Sequence, residues 1–352
     1  MALIVSEARR RREHLDWRTA ISAWEVAMLA ASIFVAGALL TRRAALTTVT
    51  SAAIFPPIAE RAFAAEDSIA TQTLGTSAEG GTKLTLGAIA EGSAALPQTD
   101  RLPIAFALRP EYIIESPDVL YPNWHLGAWR ATSTLKSVFA PAGVEVFAPG
   151  RNGTEALRRA REETPLTYDV RWRRERSGDG IVVDREYNVA SISRASMGAS
   201  AVQNVAEDGP DHLTLVLRPA GAPASSLFQA DLRVTARRTD PYPLTGRPDF
   251  FACAEVTRQT VTTIAGEKAA PSPTRGPLTK EIETICTYEL DPANPSIMRG
   301  LQRTATFLVP DAAYTGDPSL AEIAASRLTR AQNGRLVAVD VRVYDLVYTR
   351  IV

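Results

Sequence analysis

The chain has 352 residues, of which 45% are hydrophobic and 22% are charged, so it holds enough apolar material for one large domain or two small ones. Its 39 basic and 39 acidic residues balance, so the concentrated basic face of a nucleic-acid-binding protein is missing and no nucleic-acid partner is expected. Three histidines and two cysteines offer little material for a metal centre built from these residues. Neither a metal nor a cofactor is therefore expected.

The first 64 residues carry the features of a targeting segment. Residues 24–40 form an apolar run behind the basic residues 9–12, and as a helix this run would span about 26 Å. The pair Arg42 and Arg43 then precedes a mildly apolar stretch that ends in Ala62-Phe63-Ala64, a pattern of small residues typical of signal-peptidase cleavage. This order predicts a twin-arginine signal that is removed after Ala64. The alternative is a protein anchored in a membrane through residues 24–40.

A twin-arginine signal behind a longer leader resembles the two-part presequence of chloroplast proteins bound for the thylakoid lumen. The resemblance implies that the leader directs the chain into the plastid and that Arg42 and Arg43 direct it across the thylakoid membrane. The expected location is therefore the thylakoid lumen, and the bacterial periplasm is the competing address.

Behind the signal, residues 65–100 are rich in Gly, Ser, Ala and Thr and contain few large apolar residues, so they predict a flexible linker. Residues 101–352 predict the folded domain. Within it, residues 153–163 have a short helical pattern with a charged face. Residues 318–331 predict a late helix, with Asp317 as its N-cap and Pro318 at its first position.

Segments rich in Val, Ile, Thr, Tyr and Phe recur along this domain, each bounded by Gly, Pro, Asp or Asn. The predicted strands are one that begins at Gly127, followed by residues 166–174, 181–193, 212–219, 228–237, 250–264, 279–290, 300–309 and 336–351. In the last strand, Val337, Val339, Val341 and Val343 predict one buried face. Many short strands with little helix between them favour an antiparallel sandwich or closed barrel over a parallel sheet.

Residues 121–143 contain a Gly-x-Trp, formed by Gly127 and Trp129, at the start of the first predicted strand. A Gly-x-Trp in this position of an antiparallel barrel resembles the lipocalins and related calycins. The resemblance implies a mainly β barrel of about eight to ten strands, closed at one end by the tryptophan. It also implies that an arginine from a late strand stacks on the indole, for which Arg342 and Arg350 are the candidates.

Several stretches are similar to an uncharacterised family of cyanobacterial and chloroplast proteins that carry a conserved domain of unknown function. These stretches are residues 118–141, 183–193, 252–261, 282–288 and 301–310. The resemblance covers residues 101–352 and implies a plastid or cyanobacterial setting and a β-rich fold, but no reaction.

Cys253 and Cys286 lie on consecutive predicted strands that flank the proline-rich loop 266–277. If these strands pair as a hairpin, a register in which paired residue numbers sum to 539 places the two cysteines opposite each other, within reach of a disulfide. An oxidising lumen permits this bond. The alternative is a pair of small buried thiols.

Arg185 and Tyr187 lie in the predicted strand 181–193, where inward side chains would bind the polar head of a ligand; ion pairs within the sheet are the alternative. His125 and His212 are expected to be ordinary surface histidines. The chain behind the signal contains no Walker loop, G-x-G-x-x-G, H-E-x-x-H or G-x-S-x-G motif. No catalytic residues are therefore predicted.

The function expected from these patterns is non-catalytic binding. The preferred hypothesis is a barrel that holds an apolar small molecule, such as a pigment or a lipid. The alternative, from another class, is an auxiliary or assembly factor for a thylakoid membrane complex that acts through its surface. An enzyme ranks third, because no nucleophile, base and orienting group occur together.

Overall fold

The structure is a computed structural model, and it describes residues 85–96, 102–147, 152–175, 178, 180–218, 226–240, 246–265, 278–309 and 334–351. The predicted signal 1–64, its apolar run 24–40 and the predicted late helix 318–331 lie outside these residues. All described residues belong to one compact unit. Among them, no helix has the length and apolar character needed to cross a membrane.

One antiparallel sheet of ten strands makes up most of the described chain. The strands are β1 (Gly127–Phe139), β2 (Leu166–Arg174), β3 (Ile181–Val183), β4 (Val202–Glu207), β5 (His212–Leu217), β6 (Ser226–Asp240), β7 (Phe250–Ala265), β8 (Leu278–Leu290), β9 (Ile297–Leu308) and β10 (Asp340–Arg350). Their spatial order is β4-β5-β6-β7-β8-β9-β10-β1-β2-β3, so the last strand pairs with the first. The sheet curls into a half-barrel, which confirms the prediction of a mainly antiparallel, barrel-like β fold.

Alternation of side chains explains which residues face the inside of the curl. In β2, Leu166, Tyr168, Val170 and Trp172 are buried in the main core, whereas Arg171 between them is exposed. The predicted strands agree with the observed ones to within a few residues except at 181–193. The short strand β4 was not predicted.

Both faces of β10 are buried in its first half, at residues 341–344. The predicted valine face lies on the outer side of the curl, where Val341 packs with Phe139 and Phe307. The opposite face carries Tyr344 and Tyr348, which belong to the core inside the curl. An additional layer of chain covers the outside of the sheet at Val341, whereas Asp345, Val347 and Thr349 on the same face of the strand's second half are exposed.

The described helices are short and few. They are α1 (Leu86–Ala95), α2 (Ile104–Ala107), a 3₁₀ turn (Asn123–His125), α3 (Val144–Phe147), α4 (Gly153–Ala160) and α5 (Arg185–Met197). Helix α4 confirms the short helix predicted within residues 153–163. It begins at the N-cap Asn152, whose side chain accepts a hydrogen bond from the amide of Glu155.

Helix α1 corrects the prediction that residues 65–100 are entirely flexible linker. Its residues Leu86 and Ala90 are buried against Ala252, Ala254 and Ile285 on the outer face of β7 and β8. Small residues on both sides allow helix and sheet to approach closely. The scarcity of large apolar residues therefore reflects tight packing at this helix, and the Gly- and Ala-rich composition was misleading.

Helix α5 corrects the prediction of a strand over residues 181–193. The strand ends at Val183, and the side chain of Asp184 then caps a helix by accepting a hydrogen bond from the amide of Tyr187 at 3.2 Å. Val189 and Ile192 on this helix pack into the core inside the curl. The β-branched residues that suggested a strand are thus the buried face of a helix.

The gap between the two edge strands, β3 and β4, is closed by α5, and we call this gap with its helix the seam. Strand β3 pairs with only three residues of β2, so the rest of that edge needs other partners. The side chain of Asn188 is the partner of the Arg171 backbone. It accepts a hydrogen bond from the amide of Arg171 at 2.7 Å and donates one to the carbonyl of Arg171 at 3.3 Å. Ser191 accepts from the amide of Asp169 at 3.2 Å. Side chains of a helix therefore replace a missing strand.

Replacing Asn188 with alanine should destabilise the domain by about 1–3 kcal/mol, because the amide of Arg171 loses its partner in a partly buried place. The free energy of urea unfolding measures the loss. Ser196→Ala is the matched control on the same helix, since Ser196 bonds only to the helix carbonyl of Ser193 and its removal should change stability by about 0.5 kcal/mol or less. Equal effects of the two substitutions would show that Asn188 does not hold the seam.

Candidate functional site

The Gly-x-Trp closes one end of the half-barrel together with Arg350. Trp129 is fully buried and pairs in register with Arg350, whose guanidinium carbon lies 4.2 Å from the centre of an indole ring. The same guanidinium donates hydrogen bonds to the carbonyls of Leu126 at 2.7 Å and Trp124 at 2.9 Å. The indole nitrogen of Trp129 donates to the carbonyl of His125 at 2.8 Å. Two side chains thus fasten the 3₁₀ turn across this end of the sheet.

Gly127 allows this close arrangement. Its φ of 114° lies in the region that favours glycine, and a Cβ there would lie 3.2 Å from a guanidinium nitrogen of Arg350. Arg342, the other predicted candidate, lies further along β10. It forms ion pairs with Glu163 at 3.2 Å and Asp340 at 3.0 Å. Of the two predicted arginines, only Arg350 takes part in the closure.

His125 lies at the centre of an aromatic cluster on the inner side of the closed end. The surrounding rings, with centroid distances in parentheses, are Trp124 (3.9 Å), Tyr288 (4.8 Å), Tyr121 (5.0 Å), Trp172 (5.1 Å) and Phe251 (5.7 Å). His125 is fully buried, so the expectation of a surface histidine was wrong. Burial, aided by the positive charge of Arg350, lowers the pKa of His125 well below 6.5, because a cation there has lost its hydration. The ring is therefore neutral at pH 7.

Neither ring nitrogen of His125 makes a hydrogen bond within the described residues. Its plane is nearly perpendicular to that of Tyr288, at 80°, which is the arrangement in which one ring presents its edge to the face of the other. An aromatic face is a weak acceptor. A proton added to His125 would find no carboxylate in this cluster.

A buried charge network holds the middle of the inner face together. Glu255 on β7 accepts hydrogen bonds from Arg185 at 2.9 Å and from Arg237 at 2.7 Å. Arg185 also pairs with Asp118 at 2.8 Å, and Arg237 pairs with Asp211 at 2.8 Å. Burial alone would raise the pKa of Glu255, but the two guanidinium groups outweigh it and hold the pKa below its usual value. The carboxyl group of Glu255 is therefore ionised at neutral pH.

Arg185 and Tyr187 do not form one site. Arg185 points inward and forms ion pairs with Glu255 and Asp118. This arrangement corresponds to the ion-pair alternative rather than to a side chain that binds the polar head of a ligand. Tyr187 lies on the outer side, where the guanidinium of Arg171 sits 4.5 Å from its ring centre. Neighbouring positions of a helix point in different directions, whereas the prediction rested on a strand.

The two cysteines face each other in the predicted register. Cys253 pairs with Cys286 in the ladder between β7 and β8, and both are buried. Both thiols are free in the structure, and the hydroxyl of Tyr121 lies 3.8 Å from the sulfur of Cys253. Burial raises the pKa of Cys286 to about 12, so this thiol is protonated at neutral pH. A disulfide between them stays a prediction.

Gln259 is the clearest unsatisfied group inside the curl. It faces inward on β7, between Leu232 on β6 and Lys280 on β8, and has no exposed surface. Neither its amide nitrogen nor its oxygen has a hydrogen-bond partner among the residues that the structure describes. Burial lowers the pKa of Lys280 to about 8, since its ammonium group is largely removed from water. Sequence patterning gave no signal for Gln259, because a glutamine within a strand usually faces solvent.

The chain is similar to a known protein family. A family described as a domain of unknown function (DUF6816) matches residues 114–331, which is more than half of the chain. No curated protein and no solved structure matches the chain significantly. Within the described residues, no group of three or more His, Cys, Asp or Glu side chains is placed to hold a metal ion.

The neutral state of His125 predicts an acid-sensitive fold. Because the folded pKa is depressed, the unfolded chain takes up a proton below about pH 6.5 that the folded chain excludes. Stability should therefore fall as pH drops below this value, by up to about 1.4 kcal/mol per pH unit from this residue. Urea unfolding between pH 7 and pH 5 measures the slope.

The matched variant is His125→Phe, which keeps an aromatic ring in the cluster but does not titrate. Its free energy of unfolding should decline less steeply with acidification than that of the wild type. His212→Gln removes a partly exposed histidine that bonds to Asp231 at 2.7 Å and serves as the control. An unchanged slope in His125→Phe would contradict the assignment.

Proposed function

Since the chain belongs to the family described as a domain of unknown function (DUF6816), whose description names no activity, we propose a function from the half-barrel itself. The protein is a non-catalytic binding protein. Its ligand is an apolar small molecule, a pigment or a lipid, that carries at least one polar group. The inside of the curl receives the ligand.

The observation that carries this proposal is the unpaired carboxamide of Gln259. A buried polar group without a partner costs about 1–3 kcal/mol, and Gln259 has two such atoms, a donor and an acceptor. A carbonyl, hydroxyl or carboxyl group on a ligand would bond to them and recover this cost. Lys280, directly across the ladder, adds a donor for the same ligand group.

The opposite part of the inner face suits the apolar body of such a ligand. Leu213, Leu215 and Leu217 on β5 and Leu232 on β6 all point into the core and have no exposed surface. The inside of the curl is thus apolar along β5 and along β6 up to Val234, and partly polar along β7 and β8. A molecule with an apolar body and one polar group matches both parts.

Entry of a ligand requires movement, because the inner side chains of these strands are fully packed in the structure. The seam is the favourable place for it, since no described strand joins the edges β3 and β4. Displacing α5 would expose the inner face without breaking a strand ladder. This route costs the hydrogen bonds of Asn188 and Ser191 and the ion pairs of Arg185 with Glu255 and Asp118, and it leaves the ladder bonds of the sheet intact.

The chemistry of the buried groups supports binding rather than catalysis. Glu255 is held by two arginines, and the thiol of Cys286 has a pKa raised to about 12. His125 is neutral and enclosed by aromatic rings. None of these groups combines an accessible position with a reactive protonation state.

A second candidate function is that of an auxiliary or assembly factor for a thylakoid membrane complex. Large apolar side chains with high exposure in the segment that leads into the sheet favour it: Ile113 is 73% exposed, Leu120 56% and Ile104 53%. Both candidates place the protein in the thylakoid lumen, after removal of the signal at Ala64. A protein anchored through residues 24–40 is the alternative to that location.

We expect the natively purified protein to retain about one small molecule per chain, which solvent extraction and mass spectrometry would identify. Gln259→Leu should reduce the retained amount at least tenfold. The same variant should be no less stable than the ligand-free wild type, because an unpaired amide is replaced by an apolar group of similar size. Gln229→Leu, on the exposed outer face of β6, is the control and should retain the ligand. Wild-type protein without any bound molecule would overturn the proposal.

The native protein should begin directly behind Ala64 and leave thylakoids with the soluble lumenal fraction. N-terminal mass spectrometry and alkaline extraction of the membranes test both points. A native chain that still contains residues 24–40 and resists extraction would establish the anchored alternative. Co-migration with a photosynthetic complex on native gels would favour the assembly factor over the ligand carrier.

A further inference from the structure

The outer side of the seam forms a cleft of about 730 Å³ between β2, α5 and β4. Arginines from two of these elements line it: Arg171, Arg173 and Arg174 on β2 and Arg194 on α5. Strand β4 forms the facing wall through Val202 to Val205. None of its lining residues belongs to the interior ligand site proposed above, so this inference does not depend on that site.

Strand β4 is an open edge of the sheet. It pairs with β5 on one side only, and no described strand pairs with its other side. Gln203, Asn204 and Ala206 are exposed, in contrast to the buried central strands. Neither Lys nor Pro, residues that often protect sheet edges, occurs in β4. The free backbone groups of this edge are thus available to another extended chain.

Four arginines outnumber the three carboxylates of the cleft, Asp184, Glu186 and Glu207, and this excess favours an acidic partner. Arg171 is occupied by Asp184 at 2.6 Å and by the ring of Tyr187. Arg173 reaches Asp184 and Glu207 only at 3.9 Å each. Arg174 and Arg194 are exposed and have no ion pair with any described residue. Two to three guanidinium groups therefore remain for carboxylates from outside.

We propose that an extended acidic peptide segment of a partner protein binds in this cleft by adding a strand to the free edge of β4, with its carboxylates on Arg173, Arg174 and Arg194. Strand addition uses the repeating backbone donors and acceptors along the edge of β4. This strand has six residues and is about 20 Å long. Because side chains alternate along such a strand, acidic residues occupy every second position. The positions between them are apolar and contact Val202 and Val205.

The test uses an eight-residue fluorescent peptide of alternating Glu and Val and the full chain without its signal. Anisotropy titration should show saturable binding, and hydrogen exchange of the β4 amides 202–207 should slow in the complex. The double variant Arg174→Glu/Arg194→Glu should weaken binding at least tenfold, which is about 1.4 kcal/mol. Arg299→Glu, an exposed arginine on β9, is the matched control and should leave binding unchanged.

A second peptide, methylated on alternate backbone nitrogens, separates strand addition from simple charge attraction. It keeps all carboxylates but cannot donate along the edge, so it should bind at least tenfold more weakly. Equal binding of the two peptides would overturn the proposal. Full displacement of the unmethylated peptide by millimolar inorganic phosphate would also overturn it, because that result would indicate a site for small anions. The same holds if the unmethylated peptide shows no saturable binding. Loss of the interior ligand in Gln259→Leu affects neither outcome.

Discussion

The fold depends on one buried carboxylate, that of Glu255, which is shared by Arg185 from the seam helix and Arg237 from the neighbouring strand. Through Asp118 the same network reaches the segment that leads into the sheet. A charge inside a protein is tolerated only when it is paired, and removing one partner of such a pair costs about 3–5 kcal/mol. The network therefore sets where α5 lies, and α5 closes the sheet.

Closure by a helix rather than by a strand explains both proposals for this protein. A fully paired barrel has no free edge and opens only by breaking a ladder. Here the edge of β2 is satisfied by side chains of Asn188 and Ser191, while no strand of the described chain lies beside the outer edge of β4. The seam is thus the route to the packed interior and, on its outer side, a surface for an added strand.

Much of the sheet was predictable because its signals are local. Alternating apolar residues located most strands, and the register considered for a hairpin, in which paired residue numbers sum to 539, is the one that the structure shows at Cys253 and Cys286. Trp129 was singled out through the Gly-x-Trp pattern, although spacing did not distinguish Arg350 from Arg342. The errors fell where packing outweighed local preference. Val189 and Ile192 suggested a strand but form the buried face of α5, and the small residues of α1 suggested a linker but pack closely on the sheet.

The amino-acid sequence by itself determined the antiparallel β character of the domain and the positions of most of its strands. Each of these depends on residues close in sequence or on the strict alternation of a strand. Only the tertiary structure decided that Glu255 meets Arg185 and Arg237, that His125 and Gln259 are buried, and that β4 remains an open edge. These features join residues far apart in the chain, and burial and charge pairing between distant segments leave no periodic pattern in a sequence.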